Sequence, residues 1–192
     1  MQILFIRHGE STDDLTDQLG GWADFPLTPK GIEQIKESAK RITTLNVNFD
    51  IVLASPLIRA QESGRILANE FSLPLETFLY LKEKNGYGLL SGLNKDYAKK
   101  SYPELWDDMQ NGYVYGAEPE DMFSKRVKIA TEKLIERSEK NIIAVTHGGF
   151  MKKMFDIVLG KDIQKTGDGG FALTRLTSSG VELVSVNGIE YV

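Results

Sequence analysis

Only two histidines occur in the 192 residues, and each closes an apolar run and opens a glycine turn. Residues 2–8 read Gln-Ile-Leu-Phe-Ile-Arg-His, followed by Gly9; residues 142–147 read Ile-Ile-Ala-Val-Thr-His, followed by Gly148 and Gly149. An apolar segment of strand length ended by glycine predicts a buried strand meeting a loop. In open α/β sheets that carboxyl edge is where ligands bind. Two imidazoles at one edge, with Arg7 beside the first, point to an anion site that contains a nucleophile. A neutral imidazole can attack phosphorus to give phosphohistidine, which splits a difficult displacement into two easier ones. The attacking nitrogen needs a free lone pair, so an acceptor such as a carbonyl should hold the proton on the other nitrogen.

The phosphoryl group in transfer carries spread negative charge, which fixed guanidinium groups stabilise. Neighbouring strand side chains point to opposite faces, so Arg7 and His8 share a pocket only where the strand has ended, and Gly9 permits that. A second strand closing at Ser55-Pro56 would place Arg59 in the first turn of the next helix, at the same edge. His147 and the amides after Gly148, at a helix start, could complete the anion cradle. The leaving alkoxide still needs a proton donor. Glu83 is the candidate by position, and a carboxyl beside an anionic substrate has its pKa raised, as that task requires.

These groups meet only if the chain builds a common edge. Strand signals fall at residues 2–7, 50–54, 75–79, 142–146, 171–176 and 181–186, and helix signals at 28–43, 57–71, 120–139 and 150–158. Thr28 as N-cap with Pro29 at the first helical position opens the first helix. Met122, Val127, Ile129, Ala130, Leu134 and Ile135 would form the apolar face of the 120–139 helix. The alternation predicts an α/β fold, a three-layer α/β/α sandwich on a mostly parallel central sheet, organised as one domain over 1–192. Residues 82–118 are less regular, with short helices expected near 95–111. They read as an insertion arching over the sheet edge as the pocket wall.

Bulk composition narrows the function classes. A net charge of −4 argues against a nonspecific nucleic-acid surface, so positive charge for an anionic substrate must be local to the pocket. The absence of cysteine excludes disulfides, thiolate catalysis and cysteine metal sites. No apolar run reaches membrane length, and the N-terminal one is too short for a signal peptide. The expectation is a cytoplasmic protein with no nucleic-acid or membrane partner; oligomeric state is not legible. Asp13, Asp14 and Asp17 lack the glycine and terminal glutamate of a calcium loop and read as loop surface.

The ordered motifs carry a resemblance. Arg7-His8-Gly9-Glu10-Ser11, then Gly21-Trp22-Ala23-Asp24-Phe25-Pro26-Leu27-Thr28-Pro29-Lys30-Gly31 with Gln34 beyond, resembles the opening of the histidine phosphatase (phosphoglycerate mutase-like) superfamily. Ser55-Pro56-Leu57-Ile58-Arg59-Ala60-Gln61-Glu62-Ser63 is similar to its second motif and Val145-Thr146-His147-Gly148-Gly149 to its last. The stretch from Glu83 to Lys95 is similar to the segment that holds the family's acid glutamate. The resemblance implies that His8 is the nucleophile, that Arg7, Arg59 and His147 clamp the phosphoryl group, and that Glu83 donates the proton. It also implies catalysis without metal or organic cofactor on a small phosphorylated substrate. Gly20 and Gly21 fall where family members line the substrate entrance with backbone. Glu118, in Gly116-Ala117-Glu118, resembles a further family element with no catalytic role assigned.

Three departures separate the chain from the family pattern. Asp14 stands where the family often has an asparagine that donates to phosphate, and an ionised carboxylate cannot donate. Lys84 replaces the arginine that follows the glutamate, in a segment one residue longer before Tyr87-Gly88. The longer proline- and arginine-rich stretch by which mutases grip a second phosphate and exclude water is missing after Lys95. A phosphoenzyme more open to water should lose its phosphoryl group to hydrolysis, so a metal-independent phosphomonoester hydrolase of the histidine acid phosphatase type is expected. The alternatives are a cofactor-dependent phosphoglycerate mutase and a non-catalytic module that binds phospho-ligands.

Overall fold

The computed structural model describes residues 1–178 and 180–192. The chain runs through β1 (Gln2–Arg7), α1 (Thr12–Thr16), α2 (Pro29–Thr43), β2 (Ile51–Ala54), α3 (Ile58–Phe71), β3 (Leu75–Thr77), α4 (Lys95–Ser101) and α5 (Pro103–Gln110). It continues through α6 (Glu120–Ile135), β4 (Asn141–Thr146), α7 (Gly148–Met154), β5 (Ile163–Thr177) and β6 (Gly180–Tyr191). The strands form one sheet in the order β3-β2-β4-β1-β5-β6. The first four are parallel, and β5 and β6 close the other side as an antiparallel pair.

The central strands are apolar at nearly every position because helices cover both faces. Side chains alternate across β1: Ile3 and Phe5 join one core with Leu53, Ile142, α6 and α7. Leu4 and Ile6 join the other with Val52, Ile143, α2 and α3. The mostly parallel three-layer sandwich expected from the alternation is the one found. Among the described residues no helix is long and apolar enough to cross a membrane.

Register decides where the chemistry sits. Arg7 pairs with Thr146 and Ala54 with Val145, so β1 and β4 end level with one another and β2 ends one residue earlier. His8 and His147 therefore leave the sheet side by side, with Ser55 one residue behind them at the same edge. The first helix forms as its sequence predicts: Pro29 opens it, and the Thr28 hydroxyl accepts from Gly31 N–H at 2.9 Å. Here α2 presses on the turn after His8. A Cβ at Gly31 would lie 2.1 Å from the Glu10 carbonyl oxygen, and one at Gly9 would lie 2.2 Å from the Gly31 oxygen.

Several elements differ from expectation for identifiable reasons. The strand expected at 171–176 starts at Ile163, where polar and glycine residues carry no apolar alternation. Backbone pairing with β6, with shifts of register, holds that stretch instead. α6 ends at Ile135, and its buried face uses Phe123 rather than Met122, which is exposed. α7 starts at Gly148 and its last turn, Phe155–Leu159, widens into a π-helix. α1 appears where no periodicity announced it. Residues 82–118 do contain the two short helices α4 and α5, and Ala98 of α4 packs with Leu90 and Leu19 as a small satellite core that Leu105, Trp106 and Met109 of α5 cover.

Replacing Gly31 with alanine should lower unfolding stability by about 2–3 kcal/mol, because the new methyl meets the Glu10 backbone. Gly86→Ala, where nothing lies within 4 Å, serves as the control and should stay within about 0.5 kcal/mol. Urea unfolding of both variants measures this; a Gly31→Ala midpoint equal to the control would mean the α2 contact yields without cost.

Candidate active site

His8 begins the turn that β1 cannot continue, and it is 6% exposed. Its Nδ1 lies 2.7 Å from the Gly9 carbonyl oxygen, an acceptor, so the ring proton is placed on Nδ1. Nε2 is then a bare lone pair, and it accepts from Arg59 Nε at 3.1 Å. Burial, then the charges of Arg59 and Arg7, hold the His8 imidazole well below its usual pKa, so it is neutral. A buried neutral imidazole with an unprotonated Nε2 is a competent nucleophile.

The second histidine is fully buried, with its ring centroid 5.0 Å from that of His8. Its Nε2 lies 2.7 Å from Ser55 Oγ. Leu57 N–H donates to the same oxygen at 3.4 Å, which leaves the hydroxyl proton for Nε2 and places the ring proton on Nδ1. That Nδ1 is buried without a hydrogen-bond partner. Burial, His8 and the arginines also hold His147 neutral. Arg7 presents a similar vacancy among its donors. Its terminal nitrogens reach the Thr166 carbonyl at 2.5 Å and Asp168 at 2.9 Å, while Nε is buried and unpaired. A desolvated donor without a partner costs about 1–3 kcal/mol. An anion seated beside His8 could satisfy both at once.

Arg59 enters from the first turn of α3, 3% exposed, as its position after Ser55-Pro56 suggested. Besides His8 it donates to the Gly21 and Ala23 carbonyls at 3.0 and 2.9 Å, so one guanidinium ties the loop at residues 20–23 to His8. Gly20 and Gly21 line the cleft, and Gly21 has φ +53°, a conformation that suits glycine. Gly148 lies against the Arg7 side chain. Glu83 stands across the cleft, where its carboxylate accepts from Lys84 N–H at 2.8 Å and Gly149 N–H at 2.9 Å. A Cβ at residue 149 would lie 2.5 Å from that carboxylate, so the approach depends on glycine.

Eight of the nine site residues singled out in the sequence line one cleft, and the ninth, His147, is buried behind it against His8. The reading of the aspartates needs correction: Asp13 and Asp14 line the cleft from α1 rather than lying on loop surface. Asp14 accepts from Ser11 N–H at 3.3 Å. Burial, with the charges of Asp13 and Asp168, raises its pKa. Asp17 does lie outside, paired with Lys95.

The cleft has a volume of about 620 Å³, large enough for a substrate body beyond a phosphoryl group. Sequence reasoning missed its far wall, where Gln164, Lys165 and Thr166 come from the irregular start of β5. No periodicity or motif marks them. Lys84, Lys95 and Lys152 also reach the cleft; the first two sit within the acid segment, and Lys152 follows the last motif by one helical turn. Among the described residues, no group of three or more His, Cys, Asp or Glu could hold a metal ion.

A model of the histidine phosphatase superfamily (branch 1) matches residues 3–183. Over 167 residues the chain is 29% identical to the 2,3-bisphosphoglycerate-dependent phosphoglycerate mutase of Rhodopseudomonas palustris, spanning 81% of this chain and 80% of that one. Its fold is similar to the alpha-ribazole phosphatase from Shigella flexneri, with TM-score 0.83 and 24% identity over 97% of this chain and 96% of that one. It is also similar to phosphoglycerate mutase from Bacillus anthracis, with TM-score 0.80 and 22% identity over 97% and 92% of the two chains.

Because both imidazoles are held neutral when folded, the unfolded chain takes up more protons once pH falls below the ordinary value of 6.5. Stability should be complete above that pH and decline beneath it, each histidine contributing about 1.4 kcal/mol per pH unit. Nitrogen-15 NMR of the two histidines should show both neutral at pH 6. An imidazole that titrates near 6.5 in the folded protein would refute the assigned environment.

Proposed function

This chain belongs to the histidine phosphatase superfamily, and on that premise we propose that it is a phosphomonoester hydrolase working through a phosphohistidine on His8. The observation that carries the reading is the pair of buried, unpartnered donors, Arg7 Nε and His147 Nδ1, beside a neutral imidazole whose unprotonated Nε2 is held by Arg59. These groups suit a phosphoryl oxygen on one side and a phosphorus electrophile on the other.

The Nε2 lone pair of His8 forms the N–P bond while the ester P–O bond breaks, and the departing alkoxide takes a proton from Glu83. Arg59 then shifts its Nε–H from the consumed lone pair to a phosphoryl oxygen, joining Arg7 and His147 around the developing charge. In the second half, water attacks phosphorus and gives its proton to the Glu83 carboxylate. The N–P electrons return to Nε2, and inorganic phosphate leaves. No metal ion or organic cofactor is required by this sequence of steps.

Hydrolysis is favoured over phosphoryl return because the chain passes from Lys95 directly into α4 and α5. It lacks the longer segment with which mutases enclose a second phosphate. The mutase reading draws its support from the relative in Rhodopseudomonas palustris. It predicts dependence on a bisphosphorylated primer.

Phosphate release from a panel of phosphomonoesters, with chelator present, is the direct test. Turnover should persist in chelator, leave acid-labile phosphate on the wild-type chain, and fall at least about a thousandfold in His8→Ala. Arg59→Ala should cost about a hundred- to a thousandfold in kcat. Turnover that survives in His8→Ala would sink the mechanism. Release only with primer would establish the mutase, and tight binding without release would establish a binding module.

The cleft-facing Asp14 makes a second prediction. Ionisation through its raised pKa places negative charge beside the substrate phosphate, so KM should rise with pH. Asp14→Asn should lower KM several-fold at neutral pH and flatten that rise. An unaltered KM profile would place Asp14 outside the phosphate's reach.

A further inference from the structure

We infer that Arg126 and Glu118 act as a positioning clamp for Glu83, an inference that rests on Glu83 being the proton donor proposed above. Arg126 stands on α6, outside the cleft lining, with its side chain 16% exposed. A guanidinium has five N–H donors, and here three contacts go to carbonyls of the segment around Glu83 and two to the Glu118 carboxylate. Nη1 donates to the Tyr80 and Lys82 carbonyls at 3.0 and 2.6 Å. Nη2 donates to the Glu83 carbonyl at 3.0 Å and to Glu118 at 2.7 Å, and Nε completes the fork on Glu118 at 2.8 Å. Glu118 in turn accepts from Asn85 N–H at 3.4 Å and donates its own N–H to the Asn85 carbonyl at 2.9 Å.

Residues 82–87 lie in neither helix nor strand, so their carbonyls have no ladder to join. Arg126 supplies the missing partners and thereby fixes the backbone from which the Glu83 side chain departs. On the opposite side, Trp22 Nε1 donates to the same Glu83 carbonyl at 2.6 Å. The carboxylate itself is aimed by the Lys84 and Gly149 amides. A general acid is effective only within hydrogen-bond reach of its target, and a displacement of about 1 Å can cost a hundredfold. Lysine carries the same charge but presents it at one point, and cannot span three carbonyls and a carboxylate.

The test separates acid catalysis from folding through the leaving group. An alkyl phosphate such as glycerol 2-phosphate needs its alkoxide protonated, whereas the phenolate of p-nitrophenyl phosphate departs without a proton. In single-turnover measurements, which isolate phosphohistidine formation from the later hydrolysis in which Glu83 is the base, Arg126→Lys should lower the rate on glycerol 2-phosphate by about a hundredfold and on p-nitrophenyl phosphate by less than about threefold. Glu83→Gln should show the same split, and the double variant should be no slower than Glu83→Gln alone. Equal losses on both substrates in Arg126→Lys, or multiplicative losses in the double variant, would overturn the clamp while leaving Glu83 as the acid. No split in Glu83→Gln overturns both the acid and the clamp. If Arg126→Lys does not fold, Glu118→Gln, which leaves the carbonyl contacts of Arg126 in place, should give the same split at smaller size. An equal loss on both substrates in that variant would again overturn the clamp.

Discussion

The parallel pairing of β1 and β4 ends level, with Arg7 opposite Thr146, while β2 ends one residue earlier with Ala54 opposite Val145, and the site follows from that register. A shift of one residue between two of these strands would turn every side chain of the moved strand to the other face. His8 and His147 would then no longer leave the sheet together. The register is held because both faces of each strand are buried, Ile3 and Phe5 in one core and Leu4 and Ile6 in the other.

Burial of that edge gives the site its electrostatic character. Two imidazoles and the Arg59 guanidinium sit almost without solvent, which keeps the histidines neutral and leaves their hydrogen bonds to be assigned by the backbone and by Ser55. The arginine bonds fix geometry in advance: Arg59 ties the loop at residues 20–23 to His8, and Arg7 ties the start of β5 to the end of β1. What remains unpaired, Arg7 Nε and His147 Nδ1, is where an anion would be received without reorganising the protein.

The excursion between β3 and α6 solves a different problem. It is too irregular to satisfy its own backbone and too small to build a large core, having only the cluster of Leu19, Leu90 and Ala98. Leu81 enters the larger core, and beyond it polar contacts tie the excursion to the sandwich. The Thr146 hydroxyl donates to the Leu81 carbonyl, and Arg126 collects the carbonyls beyond it. The same anchors that make the excursion stable fix the position of Glu83.

The sequence by itself determined the central strands, the flanking helices α2, α3 and α6, the family, and the histidines, arginines and Glu83 that meet at the cleft. Each of these is written locally, in an apolar run, a cap such as Thr28-Pro29, or a motif of neighbours such as Arg7-His8-Gly9. Only the tertiary structure decided how Asp14 faces the cleft, that Arg7 spends its terminal nitrogens on Thr166 and Asp168, and that Arg126 serves Glu83. Those pairings join residues 43 to 161 positions apart through polar groups with no period to betray them. The start of β5 was hidden for the same reason: its polar, glycine-rich residues pair through backbone, which every residue possesses and no sequence pattern marks.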